Sequence, residues 1–336
     1  MNRSKILHMM LPFIVMAAFS CTAEINPSSE IEENNMAKIA NQPVNVSQES
    51  ILLLAAPGTD ETALTEALEG VSAVERIFPD VPGMMENIKA VTEHIKAKVA
   101  DPLRETLTVI PAKDGKLYAK VEENFWAVCL FIPDTTSPVR ADTPELAYQG
   151  GLGTGRFQAL LSDFTQPLNE TIKGFHNIRW RFQQWDEALK KDAAGRVKDL
   201  AEEISWIESR KEEMLGFWSL VENGTIPTRV THNDTKISNI LFDAEGEVLC
   251  VIDLDTCMSS TSLNDVGDAL RSYTNTGAED DQDLNRVSMD INMFEGYIKG
   301  YLSERKASMT QSEIDWLAFS GIYITYEQVL RFLMDY

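Results

Sequence analysis

The densest cluster of reactive side-chain types is one short stretch, Thr231–His232–Asn233–Asp234–Thr235–Lys236–Ile237–Ser238–Asn239. Ile240–Leu241–Phe242 follows, then the turn residues Asp243–Ala244–Glu245–Gly246. An apolar run from Val248 to Ile252 comes next and ends at Asp253–Leu254–Asp255. The Glu245–Gly246 region suits a tight turn, so 239–242 and 248–252 are expected to pair as a hairpin. Pairing Phe242 with Val248 sets Asn239 beside Val251, about two residues from Asp253. An amide oxygen and a carboxylate then converge at one end of the hairpin. Two hard oxygen ligands at that spacing suit Mg²⁺, which takes phosphate oxygens and waters as its other ligands. Asp234 lies on the loop before the hairpin, within reach of the same place. A carboxylate there orients and deprotonates a hydroxyl nucleophile.

The elements that must position this stretch fall into two parts. Residues 50–132 are strand-rich. They comprise a short apolar run at 51–56 (strand or helix), helical character at 62–68 and a strand at 71–77. A helix starts at Met84, with Ile88, Val91, Ile95 and Val99 on one face. The spacing then predicts a strand at 107–110, a turn at Asp114–Gly115, a partner strand at 117–121 and one long strand at 125–132 ending before Pro133. The remainder is mainly helical, over 145–161, 178–189, 197–220, a stretch around Phe294–Leu302, and a last long helix at 312–336. A site in the cleft between two such parts is the expected arrangement. Tyr297, Tyr301, Trp316, Tyr323 and Tyr326 recur at helical spacing and are read as core, as are Trp126 and Trp180. Cys129, Cys250 and Cys257 are read as small apolar residues. Glu279–Asp280–Asp281 is read as a solvated face.

The chain has 336 residues, 44% apolar and 24% charged, which excludes wholesale disorder. Four cysteines exclude a disulfide scaffold. With 30 basic against 52 acidic residues the net charge is −22, which excludes the basic footprint of a nucleic-acid binder. Residues 1–23 have the form of a secretory leader, with Arg3 and Lys5 before an apolar run and Ser20–Cys21–Thr22–Ala23 after it. Two readings stay open: export, with membrane attachment only if Cys21 is lipidated, or a start placed too early, with Met36 the true first residue. The cytoplasmic reading is favoured, because Ala18–Phe19–Ser20–Cys21 is a poor lipidation pattern. Residues 24–50 read as a linker.

The 231–255 block resembles the catalytic core of the protein-kinase-like phosphotransferases, in the branch of aminoglycoside and choline kinases. It is most similar to sugar kinases of the N-acetylhexosamine 1-kinase type. Gly155–Arg156–Phe157–Gln158, Phe175–His176–Asn177, Asp265–Val266–Gly267–Asp268–Ala269–Leu270–Arg271 and Thr274–Asn275–Thr276 extend the resemblance. So do Glu327, Arg331, Phe332, Asp335 and Tyr336, and in all it covers roughly residues 76–336. It implies a two-lobed α+β fold, with a small, incomplete nucleotide-binding lobe at 51–133 and a large helical catalytic and acceptor-binding lobe at 134–336. It implies ATP and Mg²⁺ as cosubstrate and cofactor, and a small-molecule sugar as acceptor. Asp234 would be the base, and Asn239 and Asp253 the metal ligands, with Asp255 a close companion of Asp253. Lys236 would stabilise the transferred charge, or else be a surface lysine. His232 would support the loop rather than perform chemistry. Asp265 and Asp268 would anchor the loop or contact sugar, and Arg271, His176 and Arg331 would support the site or meet the acceptor. The backbone of Leu130, Phe131 and Ile132 would form the hinge that meets adenine.

The chain departs from that pattern in the first lobe. Gly58 and Gly70 are the only glycines between residues 37 and 82 and are too far apart for a phosphate loop. No lysine or arginine lies between Lys38 and Arg76. Val74–Glu75–Arg76–Ile77 stands where the sugar-kinase branch carries a Leu–Gln–Arg–Ile type strand, and Glu86 or Glu93 is the acid available on the next helix. Alternatives to an N-acetylhexosamine kinase are therefore a kinase for an aminoglycoside, choline or homoserine, or a non-catalytic sugar- or nucleotide-binding protein.

Overall fold

In the computed structural model, which describes residues 54–55, 81–112, 114–121, 124–277 and 283–336, the loop at 232–239 sits between a small strand-rich part and a large helical part. This is the two-lobed, protein-kinase-like α+β fold that the resemblance implies. The expectations for residues 1–23, 24–50, 62–68, 71–77 and 279–281 lie outside the described residues.

The small part contains β1 (Leu54–Ala55), α1 (Val81–Lys96), β2 (Val109–Ile110), β3 (Ala119–Val121), β4 (Asn124–Trp126) and β5 (Val128–Leu130). β5 is the central strand of a three-stranded sheet, parallel to β1 and antiparallel to β2. β3 and β4 form a separate antiparallel pair. Two expectations are corrected here. The turn at Asp114–Gly115 forms, with Gly115 at φ 82° and its N–H donated to Ala112 O at 2.8 Å. The flanking strands do not pair with each other, however: Val109 and Ile110 face Cys129 and Val128 instead. The long strand expected at 125–132 breaks at Ala127, where the chain leaves β3 and joins β2. Apolar alternation marks a strand but does not name its partner, so both errors have one cause.

The helical part contains α2 (Pro144–Leu160), α3 (Ile178–Lys191), α4 (Ala201–Glu222), α5 (Ser262–Thr274), α6 (Ile291–Arg305), α7 (Gln311–Asp315) and α8 (Leu317–Asp335). Between α4 and α5 run β6 (Arg229–Thr231), β7 (Ile240–Phe242), β8 (Val248–Val251) and β9 (Met258–Ser260). Helix starts follow capping chemistry. Thr143, Asn177 and Thr261 each accept a backbone N–H from the first turn of α2, α3 and α5. The last helix begins later than its periodicity predicts. Thr310 and Glu313 close a capping box on α7, and Trp316 leaves helical geometry before α8.

The main core joins α2–α6 and α8, with Tyr297, Tyr301, Tyr323 and Tyr326 fully buried in it. A second core gathers the apolar face of α1 with Phe157, Leu161, Val230, Leu254 and Cys257. α1 is thus packed on the segment that follows Asp253. Asn87 fixes it there, donating Nδ2 to Cys257 O at 3.0 Å. α2 crosses α6 at backbone contact distance. A Cβ on Gly151 would lie 2.1 Å from Tyr297 O, and one on Gly300 1.9 Å from Tyr148 O. Glycine is required there by close approach. Among the described residues no helix is long and apolar enough to cross a membrane.

Candidate active site

β6, paired with β9, delivers the chain into the loop at His232. A one-turn 3₁₀ helix, Ile237–Asn239, then feeds the β7–β8 hairpin. Gly246 takes the positive φ of the hairpin turn, and Asp243 Oδ1 accepts the N–H groups of Glu245 and Glu247. A bulge between Leu241 and Phe242 shifts the register by one residue. Ile240, not Asn239, therefore faces Val251, and Ile252 N–H donates to Asn239 O at 2.8 Å. This brings Asn239 one residue closer to Asp253 than the simple register implies.

The loop is held by buried acceptors on α5. Asp265 Oδ1 accepts Asn233 N–H at 2.8 Å, and Asp265 Oδ2 accepts His232 N–H at 3.1 Å and Gln158 Nε2 at 2.7 Å. Burial pushes this carboxyl up, against the N–H donors that favour its ionised form. One turn on, Asp268 Oδ2 accepts Thr235 N–H at 2.8 Å, while its Oδ1 pairs with Arg271 at 3.1 Å. The spacing of three residues puts both carboxylates on one helix face, each aimed at a loop amide.

His232 is buried with both ring nitrogens engaged. Nε2 donates to Ile252 O at 2.8 Å, and Nδ1 accepts Asp234 N–H at 3.3 Å. The partners assign the Nε2–H tautomer, so no lone pair remains for a substrate proton. Thr256 Oγ1 donates to His232 O at 2.6 Å and closes the loop from the other side.

Asp234 is the one acid of the loop, and it is only partly covered. Its side chain is 32% exposed. Lys236 Nζ lies 2.9 Å and Asn239 Nδ2 3.1 Å from its Oδ2. Burial opposes ionisation, but the Lys236 hydrogen bond and charge outweigh it and hold the carboxyl below its usual range. For Lys236, burial is likewise outweighed, by the bond to Asp234 and the charges of Asp234, Asp253 and Asp268, which raise its pKa. Asn239 Nδ2 also donates to Asp234 O at 2.9 Å, so its amide is oriented with Oδ1 away from Asp234. Asp253 is exposed and left-handed, at φ 58°. Asp255 follows in the 3₁₀ turn Leu254–Thr256.

His176, on the turn before α3, reaches the loop from below, with Nε2 3.0 Å from Asn233 O and Nδ1 3.1 Å from Glu327 Oε2. Arg331 is not among the loop's hydrogen-bond partners. Its NH1 meets Gln328 at 3.4 Å and its guanidinium lies over Phe332. Leu130 N–H donates to Thr108 O, Ile132 is buried and its carbonyl accepts Thr135 Oγ1, and Phe131 is 41% exposed. Just beyond, Thr136 exchanges backbone hydrogen bonds with Phe242, and Ser137 Oγ donates to Ser238 O at 2.6 Å. The expected hinge is thereby stitched to the hairpin. Glu93 is paired with Lys96 on its own helix, and Glu86 accepts Asn169 Nδ2.

Sequence reasoning missed Gln158, Thr256 and Arg181 as members of this network. Gln158 stood in a motif already quoted, but its bond to Asp265 spans 107 positions and has no local signature. Among the described residues no group of three or more His, Cys, Asp or Glu is placed to hold a metal. An ion bound by Asn239 and Asp253 would have to complete its shell with substrate oxygens and water.

A family model described as the phosphotransferase enzyme family matches residues 75–301. Among solved structures, the chain is similar to amicoumacin kinase hAmiN in complex with AMP-PNP, Ca²⁺ and Ami. Identity is 14%, with 73% of this chain and 67% of that chain covered, at a TM-score of 0.47. A microcompartment-associated aminopropanol kinase shares 18% identity over 89% of this chain and 95% of its own, at 0.48. An aminoglycoside phosphotransferase from Alicyclobacillus acidocaldarius shares 14% over 76% and 85%, at 0.43.

Proposed function

The chain belongs to the phosphotransferase enzyme family, and from that premise we propose that it is an ATP-dependent kinase acting on the anomeric hydroxyl of an N-acetylhexosamine or related sugar. The observation that carries this reading is the loop itself. Asp265 and Asp268 of α5 and Thr256 of the 3₁₀ turn bind its backbone, Gln158 of α2 holds Asp265, and Asp234, the loop's one acid, keeps a partly exposed side chain. Asp234 orients the acceptor hydroxyl and takes its proton as the oxygen attacks the γ-phosphoryl group. Lys236 and Asn239 bind Asp234 Oδ2, which leaves Oδ1 to face the acceptor. Lys236 also stands where charge on the transferred group is stabilised.

Asn239 Oδ1 and the Asp253 carboxylate are a hard-oxygen donor pair that fits Mg²⁺. Asn239 is suited to this because its Nδ2 is already spent on Asp234. When bound, the ion would neutralise phosphate charge. The motifs at 155–158, 175–177 and 265–276 support the sugar as acceptor.

The test is Mg·ATP with a panel of N-acetylhexosamines, with ³¹P NMR watching for the sugar 1-phosphate. Asp234→Asn is expected to lower kcat by about 10³-fold. Turnover only with an aminoglycoside, choline or homoserine would replace the acceptor and keep the kinase. No turnover with any of them would favour the second reading, a non-catalytic sugar- or nucleotide-binding protein. The absence of lysine and arginine between Lys38 and Arg76 supports that second reading.

A further inference from the structure

We propose that His176, held doubly protonated between Glu327 and the carbonyl of Asn233, is a positioning residue that sets the catalytic loop and thereby aims Asp234. The inference rests on the kinase reading for its effect on turnover, but its geometry stands apart from it. His176 is 2% exposed, and Nε2 and Nδ1 each face an oxygen, Asn233 O at 3.0 Å and Glu327 Oε2 at 3.1 Å. A carbonyl and a carboxylate oxygen are acceptors, so both ring nitrogens must donate. Glu327 is fixed as the carboxylate by its other partners. Arg181 Nε lies 2.5 Å from Oε1, and Gln328 Nε2 donates to Oε2 at 3.0 Å. The guanidinium beside Glu327 favours the ionised form and holds its pKa down.

Asn233 needs such a clamp. It is a non-glycine residue at φ 67°, a left-handed conformation that Asn adopts more readily than other side chains but that still depends on what holds it. Asp265 holds its N–H, Thr256 O accepts its side-chain amide at 2.9 Å, and His176 holds its carbonyl. That carbonyl belongs to the peptide leading directly into Asp234. Rotation of this peptide is the motion that would swing Asp234 away from an acceptor.

The charged and titratable groups around the imidazole are Glu327 from α8, Arg181 from α3, Asp268 from α5 and Tyr323, whose hydroxyl donates to His176 O at 2.9 Å. Burial alone would lower the pKa of His176. The bond to Glu327 and the charges of Glu327 and Asp268 outweigh it and raise the pKa. A raised histidine pKa means that the clamp's contribution is complete below the unfolded value and is lost as pH rises through the folded one.

The first test uses the unaltered full chain and needs no substrate. ¹⁵N-edited NMR of the histidine rings at pH 7.5 should show one imidazolium, with both nitrogens protonated, that disappears in His176→Gln. A neutral His176 ring at that pH would overturn the proposal. The second test is hydrogen exchange of the Asn233 and Asp234 amides, expected to be about tenfold faster in Glu327→Gln, a variant of unchanged volume. Unchanged exchange there would overturn the positioning role even if no acceptor is ever found. If the kinase reading holds, Glu327→Gln should lower kcat by about 100-fold with KM for ATP unchanged. Loss confined to KM would likewise overturn it. Failure of the kinase reading alone would leave the NMR and exchange results standing.

Discussion

Under the proposed kinase reading, single residues divide into those that act and those that aim. Asp234 is the half-exposed acid of the loop, while Asp265, Asp268, His232 and His176 are spent on holding backbone. Glu327 is the extreme case, a fully buried carboxylate. Its burial is outweighed by His176 and Arg181, and its pKa is held down to about 2. A depressed carboxyl contributes stability that is present above its unfolded value of about 4.3 and is lost as pH falls toward the folded one. His176 shifts the other way, so its share is lost only as pH rises through its own raised value. The stability gap between the unaltered chain and Glu327→Gln should therefore be widest from about pH 5 to 7, at about 3 kcal/mol. It should narrow toward pH 2, as read from urea midpoints across the range. A gap that stayed flat with pH would mean that Glu327 is not the ionised partner. The residues proposed to act, Asp234, Asn239 and Asp253, were legible as candidates because they sit in one local motif. The aiming residues were partly legible as types and not as pairs, because His176 and Glu327 are 151 positions apart.

Elements were legible where the signal is periodic and local, and illegible where it depends on a partner. The helix containing Met84, Ile88, Val91 and Ile95 follows from its apolar face. The β7–β8 hairpin follows from Gly246, yet its register does not, because the bulge after Leu241 leaves no mark in the pattern. The α2–α6 contact is a case where tertiary packing overrides propensity. Glycine inside a helix is unfavourable by about 1 kcal/mol relative to alanine, so Gly151→Ala should stabilise α2 taken alone. In the fold its Cβ would meet Tyr297 O at 2.1 Å, and overpacking of this kind costs about 3 kcal/mol. The clash wins, so Gly151→Ala should be net destabilising by about 2 kcal/mol. Gly216 in α4 has nothing within 4 Å of its built Cβ, so Gly216→Ala should gain about 1 kcal/mol. Opposite shifts in urea midpoint are the expected result. A shift of the same sign in both would show that the two helices can separate slightly.

At the scale of the whole molecule, two cores meet along one line, where Phe157 packs on His232 and α1 packs behind the segment after Asp253. This arrangement supplies the loop at 232–239 with a rigid back. The chain's charge works against the proposed cosubstrate: the net charge is −22, and ATP is a polyanion. A basic phosphate loop would offset that field locally, but residues 39–75 contain no lysine or arginine. Two consequences follow for nucleotide binding under the kinase reading. The affinity for Mg·ATP should be weak, because long-range repulsion opposes it. Added salt should improve it, because the Debye length shortens from about 30 Å at 0.01 M to about 10 Å at 0.1 M and screens the distant acids first. Calorimetric titration with Mg·ATP at fixed free Mg²⁺ over that range should show the dissociation constant falling. A site dominated by nearby cations would show the reverse slope, as attraction is screened. The reverse slope with tight binding would mean that a local basic cluster cradles the phosphates, and the incomplete first lobe would have to be abandoned.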